Sequence, residues 1–187
     1  MVKKRIIVGI TGASGSIYAE RFLQKLSTFS NEIQEIALIF SETGKQVWEY
    51  ELETELPKSN LIKQFENSCF FAPPASGSAG YDAIVIIPCT AGTLGRIASG
   101  TSNDLIARSA DVMLKERKPL ILVLRESPYN LIHIENMKTV TLAGGIVFPA
   151  SPSFYSKPKD INELVDTVVT RVLGLLGFET DVFKWGE

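Results

Sequence analysis

The sequence predicts a three-layer α/β domain with a mostly parallel sheet. Three observations predict it. Short apolar runs recur at 6–10, 83–87 and 120–124, with no polar residue to give a solvated face, as in strands covered by helices on both sides. Segments of helical period lie between them. Each run ends in a cluster of small, hydroxyl or charged residues, the composition of ligand-bearing loops at the C-terminal edge of such a sheet.

The first run, Arg5-Ile6-Ile7-Val8-Gly9-Ile10, passes into Thr11-Gly12-Ala13-Ser14-Gly15-Ser16. A buried strand, a tight glycine turn and a helix over 17–28 are expected, with Ile17, Phe22, Leu23 and Leu26 facing inward. The turn gathers first-turn N–H groups and the hydroxyls of Thr11, Ser14 and Ser16 around one point, which attracts an anion, typically phosphate. The spacing Gly9-x-x-Gly12-x-x-Gly15 is neither a dinucleotide fingerprint nor a P-loop. An ordinary capped strand-to-helix turn fits the stretch as well.

A second strand is expected over 35–40, ending at Ser41, with a helix over 42–51. Ser41 fits a ligand contact or a plain N-cap equally. Residues 52–81 read as a long loop, with Pro57 and the run Phe70-Phe71-Ala72-Pro73-Pro74-Ala75-Ser76-Gly77-Ser78. Loops of this length in compact domains carry function or pack on a partner.

The strand at 83–87 ends in Pro88-Cys89-Thr90-Ala91-Gly92-Thr93, a second small-residue loop. Two such loops on central strands meet at a topological switch point and share one phosphate-bearing ligand. A helix over 103–116 precedes the strand at 119–124, which ends in Arg125-Glu126-Ser127-Pro128. That charged pair lies either in the same crevice or on a solvated rim. A helix at 131–143, a strand at 145–149, a proline-bracketed loop holding Tyr155 and a last helix over 161–176 complete the chain. Arg171 flanks the apolar stripe of the last helix, where an exposed arginine is the ordinary finding.

Composition excludes several functions. The chain has 187 residues, 45% hydrophobic, with a formal net charge of −2. That charge, without a basic stripe, gives no electrostatic case for nucleic acid. No apolar run is long enough to span a bilayer, and the N-terminal apolar stretch is too short for a signal peptide, so a cytoplasmic protein is expected. Cys69 and Cys89 are the only cysteines and His133 the only histidine. Neither a zinc site nor a disulfide framework is expected. A hydrolase would have to route its base through His133, which sits far from any nucleophile turn, so a structural role is expected for it.

Taken together, Gly9-Ile10-Thr11-Gly12-Ala13-Ser14-Gly15, Ala72-Pro73-Pro74-Ala75-Ser76-Gly77-Ser78, Pro88-Cys89, Ala110-Asp111-Val112-Met113-Leu114-Lys115-Glu116-Arg117, Arg125-Glu126-Ser127-Pro128, Ile132-His133-Ile134-Glu135-Asn136-Met137 and Phe154-Tyr155 resemble the UbiX-type flavin prenyltransferases. The similarity runs from the first strand to Trp185, with only 52–70 unremarkable.

The resemblance implies a Rossmann- or flavodoxin-like homo-oligomer, dodecameric in the family, that binds FMN and needs no metal. It implies transfer of a dimethylallyl group from dimethylallyl phosphate to N5 and C6 of reduced FMN. The product is the prenylated-FMN cofactor of UbiD-type decarboxylases. By position, Gly12, Ala13 and Ser14 bind FMN, with the Ser14 hydroxyl near N5. Ser41, Thr90, Ala91, Gly92, Thr93 and Arg125 complete the flavin site. Arg108, Lys115, Glu126, Tyr155 and Arg171 surround the prenyl phosphate, and Ser14, Glu51 and Glu126 are the catalytic set. Phe70 lies near an aromatic wall of the prenyl site. Some groups are expected from a neighbouring subunit, since Lys115 and the 70–80 loop fit poorly into one crevice.

Three departures touch the family pattern: Thr90 stands where serine is common, Asn103-Asp104-Leu105 varies a common run, and Lys184-Trp185 replaces Arg-Trp. The chemistry is consistent with the resemblance. A departing phosphate needs cations and donors, an allylic cation needs a dry site with π faces, and no nucleophile triad is present. Two alternatives stand beside it. An FMN-dependent cysteine decarboxylase relies on a histidine after the first helix, and none precedes His133 here. A non-catalytic flavin-binding protein would need the FMN loops but not Lys115, Glu126, Tyr155 and Arg171 together.

Overall fold

The computed structural model describes residues 2–52, 54–180 and 186. Lys184 and Trp185 lie outside them. Six strands form one sheet: β1 (Lys4–Ile10), β2 (Ile33–Phe40), β3 (Ile62–Glu66), β4 (Ala83–Cys89), β5 (Leu120–Leu124) and β6 (Ile146–Pro149). Their order is β3-β2-β1-β4-β5-β6 and every pairing is parallel. The chain winds outward from β1 in one direction and from β4 in the other. The switch point therefore lies between β1 and β4, where the two loops were expected to meet.

The strands are apolar throughout because both faces are covered. Along β1, Ile6, Val8 and Ile10 point to one core and Ile7 to the other, the period of two that a pleated strand imposes. The first core is closed by α1 (Ser16–Thr28) and α6 (Ile161–Leu175) through Phe22, Leu23, Leu26, Val165, Val169 and Val172. Burying each such side chain contributes about 1.5–3 kcal/mol. The second core lies under α3 (Ala91–Ala98), α4 (Leu105–Lys115) and α5 (Leu131–Leu142).

α2 (Glu42–Glu51) does not return along the sheet. It lies across the C-terminal edge, and only glycine at position 44 permits this: a Cβ there would stand 2.4 Å from the Ile10 carbonyl oxygen. Phe40 and Trp48 meet edge to face, with ring centres 5.6 Å apart.

Two expectations change. Residues 52–81, read as loop, contain β3 and two 3-10 turns, Pro73–Ala75 and Gly77–Ala79. β3 is an edge strand whose outward residues Lys63, Gln64 and Glu66 are exposed, so its polar content hid it. Residues 91–93, read as part of a loop, open α3, a two-turn helix whose Gly92 and Gly95 lower its intrinsic propensity.

Candidate active site

Two loops meet at the switch point through one hydroxyl. Thr11, 3% exposed, donates from Oγ1 to the Pro88 carbonyl at 2.8 Å and accepts from the Thr90 N–H at 2.9 Å. The Thr11 N–H also reaches Pro88, at 3.2 Å. The hydroxyl thus fixes one loop against the other and does not face the first turn, as the sequence had implied.

The N-terminus of α1 does hold an anion, but the protein supplies it. Glu51, at the end of α2, accepts from the Gly15 N–H at 2.8 and 3.1 Å and from the Ser16 N–H at 2.7 Å. Burial pushes the Glu51 carboxyl up, yet hydrogen bonds from the Ser14 side chain and the Ser16 and Gly15 amides hold it below the usual range. Gly15 takes φ +110°, a left-handed turn suited to glycine. The phosphate point read from the first glycine turn is therefore corrected: that cradle is filled by Glu51.

The second loop offers an open cradle. Thr90 caps α3, its Oγ1 accepting from the Thr93 N–H at 3.0 Å and donating to Thr93 Oγ1 at 2.9 Å. The first-turn N–H groups of Ala91 and Gly92 have no acceptor among the described residues. Ser41 stands at the neighbouring strand end. Its hydroxyl caps α2 by accepting from the Gly44 N–H at 3.0 Å and lies 3.3 Å from Thr43 Oγ1. A helix N-terminus with free amides and paired hydroxyls is the donor set a phosphate monoester requires. The residues present at the start of α3 therefore fit FMN.

Arg125 and Glu126 follow β5 on the same edge. The Arg125 N–H bonds the Cys89 carbonyl at 3.0 Å, and Glu126 accepts from the Ser127 N–H at 2.9 Å. Tyr18, which the sequence reading passed over, completes this side. Burial raises its phenol, the Arg125 charge opposes that rise, and its hydroxyl lies 3.5 Å from the Ala150 carbonyl. Its signal was its place in the first turn of α1, directly after the glycine turn. Thr43 was equally readable, two residues beyond Ser41. Tyr155 sits in the exposed connection between β6 and α6, beyond the same edge.

Other predicted residues lie elsewhere. Arg108, one turn into α4, donates from Nε to the Ala75 carbonyl at 3.1 Å and pairs with Asp111 at 2.8 Å. Lys115 ends α4, paired with Glu116, which lies against Gly77. The following residues enter the sheet from below: Lys118 reaches the Tyr81 carbonyl, and the Ile84 N–H bonds Pro119. Lys115 is thus at the N-terminal edge, roughly 20 Å from the loops by the rise of a seven-residue strand. Arg171 is exposed ten residues into α6, roughly 15 Å from its start. α6 ends at the lower edge, where Lys4 Nζ bonds the Leu176 carbonyl at 2.7 Å. Phe70 is part-exposed and Phe71 fully so, in the segment after β3.

The remaining reactive side chains are accounted for structurally. His133 closes a capping box with Asn130 at the start of α5. Cys89 is wholly buried, which pushes its thiol up to about 12 against the opposing charge of Arg96. A thiol held there is no nucleophile. No group of three metal-ligating side chains occurs among the described residues, and no helix there is long and apolar enough to cross a membrane.

This architecture, a parallel sheet with an open helix N-terminus at its switch point, is that of a ligand-binding α/β protein, and the family described as Flavoprotein matches residues 1–173. The flavin prenyltransferase UbiX of Methanocaldococcus jannaschii is 45% identical over 185 residues, covering 97% of this chain and 98% of that one. The structure of AnUbiX in complex with FMN and dimethylallyl pyrophosphate is 37% identical with a TM-score of 0.90, covering 100% of this chain and 99% of that one. A dodecameric FMN-dependent UbiX-like decarboxylase from Escherichia coli O157:H7 is 35% identical with a TM-score of 0.89, covering 98% and 100%. The chain belongs to the UbiX-type flavin prenyltransferase family.

Proposed function

We infer that this protein transfers a dimethylallyl group from dimethylallyl phosphate to N5 and C6 of reduced FMN, making the prenylated cofactor used by UbiD-type decarboxylases. The observation that carries this reading is the open cradle of N–H groups and hydroxyls at the start of α3, at the same sheet edge as Ser14, in a chain of the UbiX family. Reduced FMN, when bound, would supply N5 and C6 as nucleophiles: the bond to N5 would replace the donor's C–O bond as phosphate leaves and the N5 proton is lost, and the bond to C6 would replace the prenyl double bond as that bond takes up a proton and C6 gives one up.

The chain's residues bind, orient and manage protons. Thr90, Ala91, Gly92, Thr93, Ser41 and Arg125 hold FMN, and Gly12, Ala13 and Ser14 back the ring. Glu51 is ionised at neutral pH, so it accepts the Ser14 hydroxyl proton in hydrogen bonding and orients that hydroxyl. Glu126, at the end of β5, faces the leaving phosphate and takes part in proton transfer. Arg108, Lys115, Tyr155 and Arg171 neutralise the phosphate as charge develops.

One chain cannot bring these cations to its own flavin edge, since Lys115 lies at the opposite edge of the sheet. A homo-oligomer, a dodecamer by family, unites them. The exposed side chains of α5 support association: Leu131 and Ile132 at its start and Leu142 at its end are each at least 69% exposed. The protein acts in the cytoplasm on small molecules and passes its product to a decarboxylase. By itself it does not decarboxylate aromatic acids.

The test is anaerobic incubation with reduced FMN and dimethylallyl phosphate, then mass spectrometry of the extracted flavin. A flavin heavier by one C5H8 unit supports the reading. A parallel reaction with the pyrophosphate decides the donor. Unmodified flavin with both donors overturns the reading and turns attention to cysteine-containing substrates.

A further inference from the structure

We propose that Arg96, on α3, is the residue that makes the flavin cradle selective for a phosphate monoester. The proposal rests on reading Thr90–Thr93 as the flavin phosphate site. Neither the motif reading nor the family resemblance assigns Arg96 a role.

Arg96 lies one turn beyond Thr93 and is the single cation of α3. Its side chain runs toward the N-terminus of α3, the direction long helical side chains take. Nη2 donates to Thr93 Oγ1 at 3.0 Å and lies 3.6 Å from Asp104 Oδ2. Nη1 lies 3.9 Å from where a Cβ on Gly92 would stand, so the absence of a side chain at 92 leaves the guanidinium open toward the first turn. Nε is buried and has no hydrogen-bond partner. Asp104 answers the charge only in part, because its other oxygen caps α4 by accepting from the Ala107 N–H at 2.8 Å.

A guanidinium only donates, so Thr93 Oγ1 accepts from it, as it accepts from the Thr90 hydroxyl. Thr93 is itself buried, so Arg96 is held from inside the first turn. The cradle then holds two free amides and a positive charge within one helical turn, a set matched to an anion. The field of Arg96 already reaches the Cys89 thiol at the foot of the loop.

The experiment compares binding of FMN and riboflavin to the flavin-free full-length protein, by quenching of flavin fluorescence. Riboflavin lacks only the phosphate, so it reports the ring site and the integrity of the fold. Arg96→Met is expected to weaken FMN about tenfold or more, the loss of a charge-assisted hydrogen bond, with riboflavin unchanged. Arg96→Gln, which keeps a donor to Thr93 without the charge, is expected to show most of the same loss, and Arg96→Lys to recover part. Equal weakening of FMN and riboflavin in the Gln variant, or undiminished FMN binding, overturns the proposal. Wild-type protein that binds FMN no better than riboflavin instead overturns the phosphate site itself, and the two failures are told apart by which protein shows them.

Discussion

Thr11 carries the alignment of the whole crevice on one oxygen. Its hydroxyl joins the Pro88 carbonyl to the Thr90 amide inside the protein, so Thr11→Val leaves the Thr90 amide without a partner and the Pro88 carbonyl with the Thr11 N–H alone. We expect a loss of about 1–3 kcal/mol in denaturant unfolding, with FMN affinity falling as the second loop shifts. Glu51 is the second residue on which the account turns. Replacing it by glutamine keeps an acceptor for Gly15 and Ser16 but removes the charge. Transfer should slow by about 10²-fold in a stopped assay, with FMN affinity largely kept. A variant that loses FMN binding and activity together would assign Glu51 a purely structural role. Neither role was fully legible beforehand: Thr11 was read as one of three hydroxyls about a phosphate, because sequence shows which groups share a turn but not which way each side chain points.

At the scale of elements, the strands and long helices were readable because their apolar spacing is strict. α6 is the clearest case, with Val165, Val168, Val169, Val172 and Leu173 on one buried stripe. Leu23→Ala on the opposing α1 should cost about 2–5 kcal/mol by chemical denaturation, since Leu23 is fully buried in that core. β3 and α3 were not readable, for opposite reasons. β3 gives one side chain to each core, Ile62 and Phe65, and its exposed Lys63, Gln64 and Glu66 break the pattern. α3 carries two glycines and owes its helix to the Thr90 cap and to packing of Leu94 and Ile97. The family resemblance named Thr90–Thr93 as flavin-binding, but the helix that gives those residues their free amides became visible only in the fold.

The whole molecule separates function from anchorage along the sheet. Ligand loops occupy the C-terminal edge, while the other edge holds a buried ionic cluster. There Glu35 accepts from Arg5 at 3.0 Å and from Lys63 at 2.7 Å, and pairs with the Tyr81 phenol, which burial and Glu35 together push upward. Burial opposes ionisation of Glu35, but bonds from Lys63, Tyr81 and Arg5 hold its carboxyl at about 2. A carboxyl lowered on folding stabilises above its unfolded value and loses that contribution as pH falls through the folded value. Stability should therefore decline between about pH 4.5 and 2 by about 3 kcal/mol from this group, and Glu35→Gln should flatten that part of an acid titration followed by circular dichroism.

The proposed function demands that the two edges of different subunits meet, because Lys115 and Glu126 sit at opposite edges of one sheet. The most direct measurement is prenyl transfer by mixed oligomers. Lys115→Ala and Glu126→Gln proteins are each prepared inactive, dissociated, mixed and reassembled, and the flavin product is quantified by mass spectrometry. The account predicts that the mixture regains activity, since some sites then receive Lys115 from one subunit and Glu126 from another. Reassembled mixed oligomers as inactive as either parent would contradict it and return both residues to a single chain.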